Sequence, residues 1–431
     1  LLDRYLQRWF QLREHGTTLR QELIAGLTTF VTVVYIVAVH SAILSDAGIP
    51  VTAGVVATVF ASCVGCLLVG LWANAPIVMV PGMGINVLFT YTFVQKMGLS
   101  WSEALAVVLV SGVLFVWVAF SPLSGVLQRT VPGSLKEAIT VGIGLLLTLI
   151  GLQKGGLVVS DPRTLLALGD LGEPRVLVTC ATLAVGLVLY VRKVTGSLLL
   201  TLATGTVLGI CSGLTEAGGE STLSLDAYSL LFGGFSFASW FTLPFWVAVF
   251  SLTMVITFEN FGLIQGQLKM LQRKDESSRV LKAASLSTLT CGWLGTSPTV
   301  AAVETAAGIT AGGRTGLTAV TTGLLFLGTL AVAPWMGMIP DSAVAPILIL
   351  IGGLMLENIR WIPLQDFSEG FPAFLIIALI PLSQSIPDGI AFGFVGYALL
   401  KLGAGRGREV PAPMYIISGL FLVHLILRGL I

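Results

Sequence analysis

Two apolar stretches, one in each half of the chain, are interrupted at corresponding places by proline and glycine and resume with a polar residue just past the break. The first runs from Ala75 to Asn86 around Pro76, Pro81, Gly82 and Gly84, and the second from Thr296 to Gly308 around Pro298 and Gly308. Proline removes a backbone donor and clashes with the preceding helical turn, so each stretch has to leave helical geometry there. Each therefore reads as a short extended piece entering a half-helix, with its free backbone groups and Asn86 or Glu304 facing something other than lipid. A pair of interrupted segments in matching halves is the best sequence pointer to the central site of a transporter.

The medium around these breaks is a bilayer. Apolar runs of about 20 residues recur from Leu23 to the C-terminus, long enough to span. Only 10% of residues are charged, against roughly 25% in a soluble domain, and mean hydropathy is +0.94. Strict alternation, the mark of a β-barrel, is missing from these runs, so the expected class is an all-α polytopic membrane protein. Arg4, Arg8, Arg13, Glu14 and Arg20 make the N-terminal segment too polar for a signal peptide, so the first span is expected to be retained. A net charge of +1 without a basic tract gives no reason to expect a nucleic-acid partner. Cys63 and Cys66 form a C-x-x-C spacing inside an apolar helical run, with no second pair or nearby histidine, and read as small buried thiols. No metal and no cofactor are expected.

Apolar runs and Gly/Pro punctuation mark spans at 22–44, 51–72, 77–97, 103–121, 134–153, 176–191, 196–213, 243–267, 280–295, 297–311, 316–335, 342–358, 370–385 and 387–403. With the N-terminus in the cytoplasm, roughly 18 Lys/Arg fall inside, among them Arg129, Arg273, Lys274, Arg314 and Lys401, and about 4 outside, namely Lys96, Lys154, Arg163 and Arg175. The Gln267–Ser278 loop is the strongest inside anchor. The broken segments are then third and tenth of fourteen spans, a seven-plus-seven repeat whose odd length inverts the second copy. They can enter from opposite sides and meet near the midplane, presenting helix N-termini to a ligand. Segments 154–175 and 214–242 read as extracellular connections. The apolar tail 411–431, with His424 and Arg428, could span, lie along the surface or pack on the bundle.

Glu259 and Glu304 lie within apolar runs, where a carboxylate costs at least a few kcal/mol without a partner, a proton or water. Such residues mark function by default, and an interhelical structural hydrogen bond is the bland alternative. Two carboxylates in one dry cavity do not readily ionise together, so one tends to hold a proton. A carboxylate can accept from the N–H groups of a neutral heterocycle while a protonated carboxyl, Asn86 or a backbone N–H donates to its acceptors. Proton uptake at either acid would supply coupling. Thr28, Thr29, Thr32 and Asn260 could line the same cavity or bond to their own helices. His40 reads as a hydrogen-bonded interfacial residue, with gating or proton relay as the sharper option, and Asp388 as a cap of the helix after Pro387.

Four motifs carry a resemblance. Phe10 to Thr18, Glu22 to Phe30, Pro81-Gly82-Met83-Gly84-Ile85-Asn86 and Gly312-Gly313-Arg314-Thr315-Gly316 to Val320 resemble the AzgA-like purine permeases of the nucleobase/ascorbate (xanthine/uracil permease) transporters, over nearly the whole chain. The resemblance implies a core domain (22–121 and 243–335) and a gate domain (134–213 and 342–403), preceded by a cytoplasmic segment 1–21 and followed by the tail 411–431. It further implies proton symport of a purine by an elevator-type movement, a cell-membrane location, and a homodimer as relatives often form. Asn86 matches the third-span asparagine, Glu259 the eighth-span acid and Glu304 the tenth-span glutamate that contacts substrate, with Met83, Thr29 and Val303 shaping the pocket. The AzgA-like branch usually carries Asp followed by Ser-Ser-Gly-Thr where this chain has Glu259-Asn260-Phe261-Gly262-Leu263, and an asparagine where it has His40. A glutamate at that place looks more like the uracil and xanthine branches. The expected function is proton-coupled uptake of a nucleobase, purine preferred. The alternatives are a uracil/xanthine-type permease, or a sulfate- or bicarbonate-type anion permease or channel of the same architecture. The two acids argue against an anion site, which wants a cation beside helix N-termini. An enzyme is not expected, because no nucleophile–base pair or soluble domain is visible.

Overall fold

The computed structural model of the protein describes residues 7, 9–162, 164–214 and 225–429. Arg4, Arg8, Arg163 and residues 215–224 of the second connection lie outside the described residues, as do the side chains of Arg129, Lys274, His424 and Arg428. Helices fall within a few residues of the apolar segments marked in the sequence. Nine of those described are long and apolar enough to cross a membrane, and Ser197–Cys211, Phe367–Ser383 and Ala412–Val423 are apolar but shorter.

The first apolar segment is two helices, α1 (Leu19–Val33) and α2 (Tyr35–Ser45), joined at Val34. Thr28, Thr29 and Thr32 return their hydroxyls to carbonyls of the preceding turn, a habit that bends helices. α3 (Val51–Leu68) widens into π-type turns through Ala73 and stops at Asn74, which is left-handed at φ 49°. Strand β1 (Met79–Pro81) and α4 (Met83–Val87) follow, as the first break requires, and π-type turns continue to Lys96. α5 (Trp101–Phe120) begins with a capping box, in which the Ser100 hydroxyl accepts from the Glu103 N–H and the Glu103 carboxylate accepts from the Ser100 N–H.

Next come α6 (Gly133–Lys154), α7 (Pro174–Val191) and α8 (Ser197–Cys211). Between α6 and α7 the expected plain connection contains a hairpin of β2 (Val158–Asp161) and β3 (Leu165–Leu168). The second half supplies α9 (Leu243–Met270), α10 (Ser277–Leu294), β4 (Thr299–Ala301), α11 (Thr305–Thr310) and α12 (Gly316–Gly328). It ends with α13 (Asp341–Met355), α14 (Phe367–Ser383), α15 (Ile386–Gly403) and α16 (Ala412–Gly429). Gln267, expected to open a loop, is still inside α9 and buried. The tail helix α16 packs against the bundle. Phe421 stacks edge-on against Phe250 and Phe394, and the Ser418 hydroxyl donates to the Phe394 carbonyl.

The helices pack in two groups, α1–α5 with α9–α12 and α6–α8 with α13–α15, and touch less between groups than within them. Where the groups do meet, Gly196 lies against Val31 and Gly84 against Ile143. Within the first group, one end is netted together by polar groups. The buried Glu22 carboxylate accepts from the N–H groups of Arg314 and Thr315 and from the Thr318 hydroxyl, capping the start of α12. Asn74 accepts from the Gly316 N–H and donates to the Phe10 carbonyl. Arg273 donates to the carbonyls of Arg314 and Asn74. The Glu22 and Gly-Arg-Thr-Gly motifs are thus two sides of one contact.

A Cβ at Gly316 would stand 1.9 Å from the Gly70 carbonyl oxygen, whereas one at Gly328 meets nothing within 4 Å. Gly316→Ala is therefore expected to lower the melting temperature of the purified protein, by an overpacking cost of about 1–3 kcal/mol. Gly328→Ala, two turns and more away in the same helix, should leave it unchanged or slightly raised, and equal melting of the two variants would refute the close approach.

Candidate functional site

The two broken segments meet. β1 and β4 pair antiparallel with Met79 opposite Ala301, Val80 opposite Val300 and Pro81 opposite Thr299, all buried. Further bonds extend the ribbon, from the Ala302 N–H to the Val78 carbonyl and from the Gly82 N–H to the Pro298 carbonyl. An isolated two-stranded ribbon buried in a helical bundle has outer-edge backbone groups that need partners. Neighbouring helices supply them. Asn260 of α9 accepts from the Ala301 N–H, and Gln267, two turns on, donates to the Ala302 carbonyl. Thr288 of α10 donates to the Thr299 carbonyl, Ser287 bonds the Thr299 hydroxyl, and the Cys291 sulfur accepts from the Thr299 N–H. Cys66 of α3 donates to the Met79 carbonyl. Asn260 thus works at the ribbon edge. Cys63 and Cys66 are buried free thiols, and no metal-holding cluster occurs among the described residues.

The acids flank this ribbon. Glu304 stands at the N-cap position of α11, and its Oε1 accepts a 2.6 Å hydrogen bond from the hydroxyl of Tyr35, the first residue past the break between α1 and α2. Glu259 precedes Asn260 on α9, and its Oε2 is buried without a hydrogen-bond partner among the described residues. Both glutamates remain partly accessible. Asn86, fully buried on α4, donates weakly at 3.5 Å to the His40 carbonyl, and its Oδ1 has no partner among the described residues. Met83 is half-buried at the start of α4. Val303 is 66% exposed and Thr29 fully buried. The Thr29 hydroxyl donates to the Ala25 carbonyl, and its β-carbon and hydroxyl pack closely on Gly308.

His40 is hydrogen-bonded, as expected: it is fully buried, with Nε2 2.8 Å from the Thr296 hydroxyl, which ties α2 to the residue where the second break begins. One residue differs from its expected role. Asp388 does not cap α15. The Ser385 hydroxyl does so by accepting from the Asp388 N–H, and the Asp388 carboxylate faces Lys96 at 3.6 Å. Tyr35 and Gln267 were not visible as site residues in the sequence. The only signal for Tyr35 was an aromatic hydroxyl at the end of a threonine-rich helix.

A cavity of about 330 Å³ lies elsewhere, between the two helix groups at the end carrying Asp46, Tyr91, Lys154 and Arg175. Its lining contains neither Glu259 nor Glu304.

Comparisons with known proteins bear on this arrangement. The permease family model (Xan_ur_permease) matches residues 20–392. Nucleobase transporter PlAzg2 of Paenibacillus larvae is 51% identical over 386 residues, covering 88% of this chain and 77% of that protein. Adenine permease AdeP of Escherichia coli K12 is 34% identical over 427 residues, covering 98% and 96%. Among solved structures, the transmembrane domain of the cyanobacterial bicarbonate transporter BicA superposes with a TM-score of 0.65 at 16% identity, over 87% of this chain and 97% of that one, a likeness of fold alone. The chain belongs to the permease family, as its motifs led one to expect, and is a multi-pass membrane transporter rather than an enzyme.

The ribbon edge is testable without a substrate. Thr288→Val keeps the side-chain shape but leaves the buried Thr299 carbonyl without its 3.0 Å donor, at a cost of about 1–3 kcal/mol. A clear fall in the melting temperature of the detergent-purified protein is expected, and no fall would show that the carbonyl does not depend on Thr288.

Proposed function

We propose that this permease takes up a nucleobase, purine preferred, in symport with protons, and that the paired breaks with Glu259 and Glu304 form its central site. The observation that carries the reading is the Tyr35-held Glu304 carboxylate at the end of the buried ribbon. The names of its relatives, a nucleobase transporter and an adenine permease, point to the same ligand class. A hydroxyl donated to Oε1 fixes the carboxylate plane, so Oε2 can accept from a ring N–H at a defined angle. Asn86 presents an amide whose Oδ1 is unpartnered among the described residues, suited to a second ring N–H, with Met83 and Val303 giving apolar contact. Glu259, whose Oε2 has no partner among the described residues, is the group best placed to take and release the coupling proton. One proton moving inward is worth about 2.3 kcal/mol per 100 mV, enough to drive uptake of an uncharged ring.

The fourteen apolar segments are taken as fourteen spans in a seven-plus-seven inverted repeat, with the N-terminus on the cytoplasmic side of the cell membrane. The antiparallel meeting of β1 and β4 supports that inversion. In this reading the first helix group is the core domain (22–121 and 243–335). It carries the ligand, elevator-fashion, past the second group as gate (134–213 and 342–403), and a homodimer would hold the gates still. An anion permease of the same fold is not favoured, because carboxylates at the ribbon oppose an anion.

Uptake of radiolabelled adenine, guanine, hypoxanthine, xanthine and uracil at two pH values tests the assignment. Glu304→Gln should reduce purine uptake at least about tenfold, and Tyr35→Phe should raise KM by about tenfold through loss of a charge-assisted hydrogen bond. Normal uptake by Glu304→Gln protein that reaches the membrane would end the reading. Glu259→Gln should flatten the pH dependence of uptake, and an unchanged profile would move the proton elsewhere.

A further inference from the structure

The ion pairs are distributed unequally between the two ends of the bundle. At the end holding Arg273 and Lys401, five ion pairs among the described residues each lie within one helix group, and a cation–π contact, Lys136 over the Phe258 ring at 5.8 Å, crosses between groups. Arg273 pairs with Glu276, the buried Lys401 with Glu369 and Glu409, and Arg406 with Asp366 and Glu409. At the opposite end they cross between groups. Lys154, at the end of α6, lies 2.8 Å from Asp46, just past the end of α2. Lys96, at the end of the π-type turns after α4, faces Asp388 at 3.6 Å and donates to the Ser383 carbonyl. The Asp46–Lys154 pair borders the 330 Å³ cavity, with Asp46, Tyr91 and Gln95 on one wall and Ile150, Lys154 and Gln384 on the other.

We infer that the Asp46–Lys154 pair is a releasable latch that closes this end of the passage between the two helix groups. The inference rests on the elevator reading above and assigns the latched end to the outside. Each partner keeps a second contact in its own group. Asp46 accepts from the Tyr91 hydroxyl at 2.6 Å, and Lys154 is 3.1 Å from Asp341. Arg175 completes the gate-side cluster, 3.6 Å from Asp341 and donating to the Lys154 carbonyl. When the groups part, neither charge is stranded, so the latch avoids the heavy cost of a buried charge left alone. A partly buried pair with such spare partners is suited to repeated opening. The Gln95 amide, donating to the Asp46 carbonyl at 3.0 Å, holds the core-side half in place.

The test reads accessibility rather than transport. Ile150 is 7% exposed behind the pair, and Ile150→Cys in a Cys180→Ser, Cys211→Ser background gives a thiol to be labelled by a membrane-impermeant maleimide added outside whole cells. Asp46→Asn and Lys154→Gln should each speed labelling by about fivefold, the loss expected of such a pair. Asp341→Asn removes the in-group partner that Lys154 and Arg175 share, leaves the Asp46–Lys154 contact in place, and should leave the rate unchanged or slower. Labelling at the parental rate in both Asp46→Asn and Lys154→Gln, or acceleration by Asp341→Asn equal to theirs, would overturn the latch. Asp46→Asn is nearly isosteric, so it decides the matter should Lys154→Gln fold poorly. Labelling needs no ligand: faster labelling in variants whose parent takes up no nucleobase would leave the latch standing and refute the proposed substrate.

Discussion

Everything central to this molecule depends on placing non-helical backbone inside an apolar bundle. Six residues of paired strand, Met79–Pro81 and Thr299–Ala301, are buried where helical hydrogen bonds are not available to them. Each strand satisfies one edge with the other, and the free edges would otherwise cost several kcal/mol per group. The amide of Asn260, the amide of Gln267, the hydroxyls of Ser287 and Thr288 and the sulfurs of Cys66 and Cys291 discharge that requirement. The polarity of α10, which is unusual for a helix in such a chain, follows from its role as the ribbon's neighbour. The ribbon in turn fixes where α4 and α11 begin, and so where Asn86 and Glu304 stand.

The parts of this plan written in short-range sequence were legible. Proline and glycine announce both breaks, because a missing donor acts on the residues beside it. The helices follow from apolar run length. Glu304 and Glu259 could be singled out because an acid within an apolar run has no ordinary explanation. What stayed hidden was which polar groups face one another. Tyr35 and Glu304 are 269 residues apart, and no periodicity links them. Asn260 and Glu259 are adjacent in sequence and differ by about 100° around the helix. Composition could not tell which of the two serves the ribbon and which is left with an unpartnered oxygen. His40 read as a hydrogen-bonded residue near a span end, and its partner, the Thr296 hydroxyl, comes from the other half of the chain, where no local pattern could name it. Asp388 read as a cap because acids often are. Ser385, three residues earlier, holds that place and leaves the carboxylate to face Lys96.

The two acids are unequal in their hydrogen bonding. One oxygen of Glu304 is committed to Tyr35 within the same helix group, so its geometry is preserved if that group moves as a body. Pre-set geometry favours binding, because less freedom is lost when a ligand arrives. Glu259 has a buried oxygen with no partner among the described residues. A carboxylate in that condition is stabilised by whatever proton or donor reaches it, and its charge state responds to occupancy of the site. Under the proposed function, grip and coupling are therefore divided between neighbouring elements and linked through β4, which bonds to Asn260 beside one acid and leads directly to the other.

The same division extends to the whole bundle. The first group is held rigid by the ribbon and, at one end, by Glu22, Asn74 and Arg273 around the start of α12. The second is pinned by the buried Lys401 between Glu369 and Glu409, with Ser134 and Tyr397 donating to Glu369. Between the groups, Gly84 and Gly196 meet the aliphatic side chains of Ile143 and Val31, and Asp46 and Lys154 each keep an alternative partner on their own side. Rigid-body movement needs strong bonding inside each body and weak, replaceable bonding between them. A covalent-like tie at the interface would lock the passage, and a slack core would let the ribbon deform instead of the ligand moving. Under the proposed function this division suits such movement, because the Glu22, Asn74 and Lys401 networks lie inside the groups and the Asp46–Lys154 pair lies on the boundary.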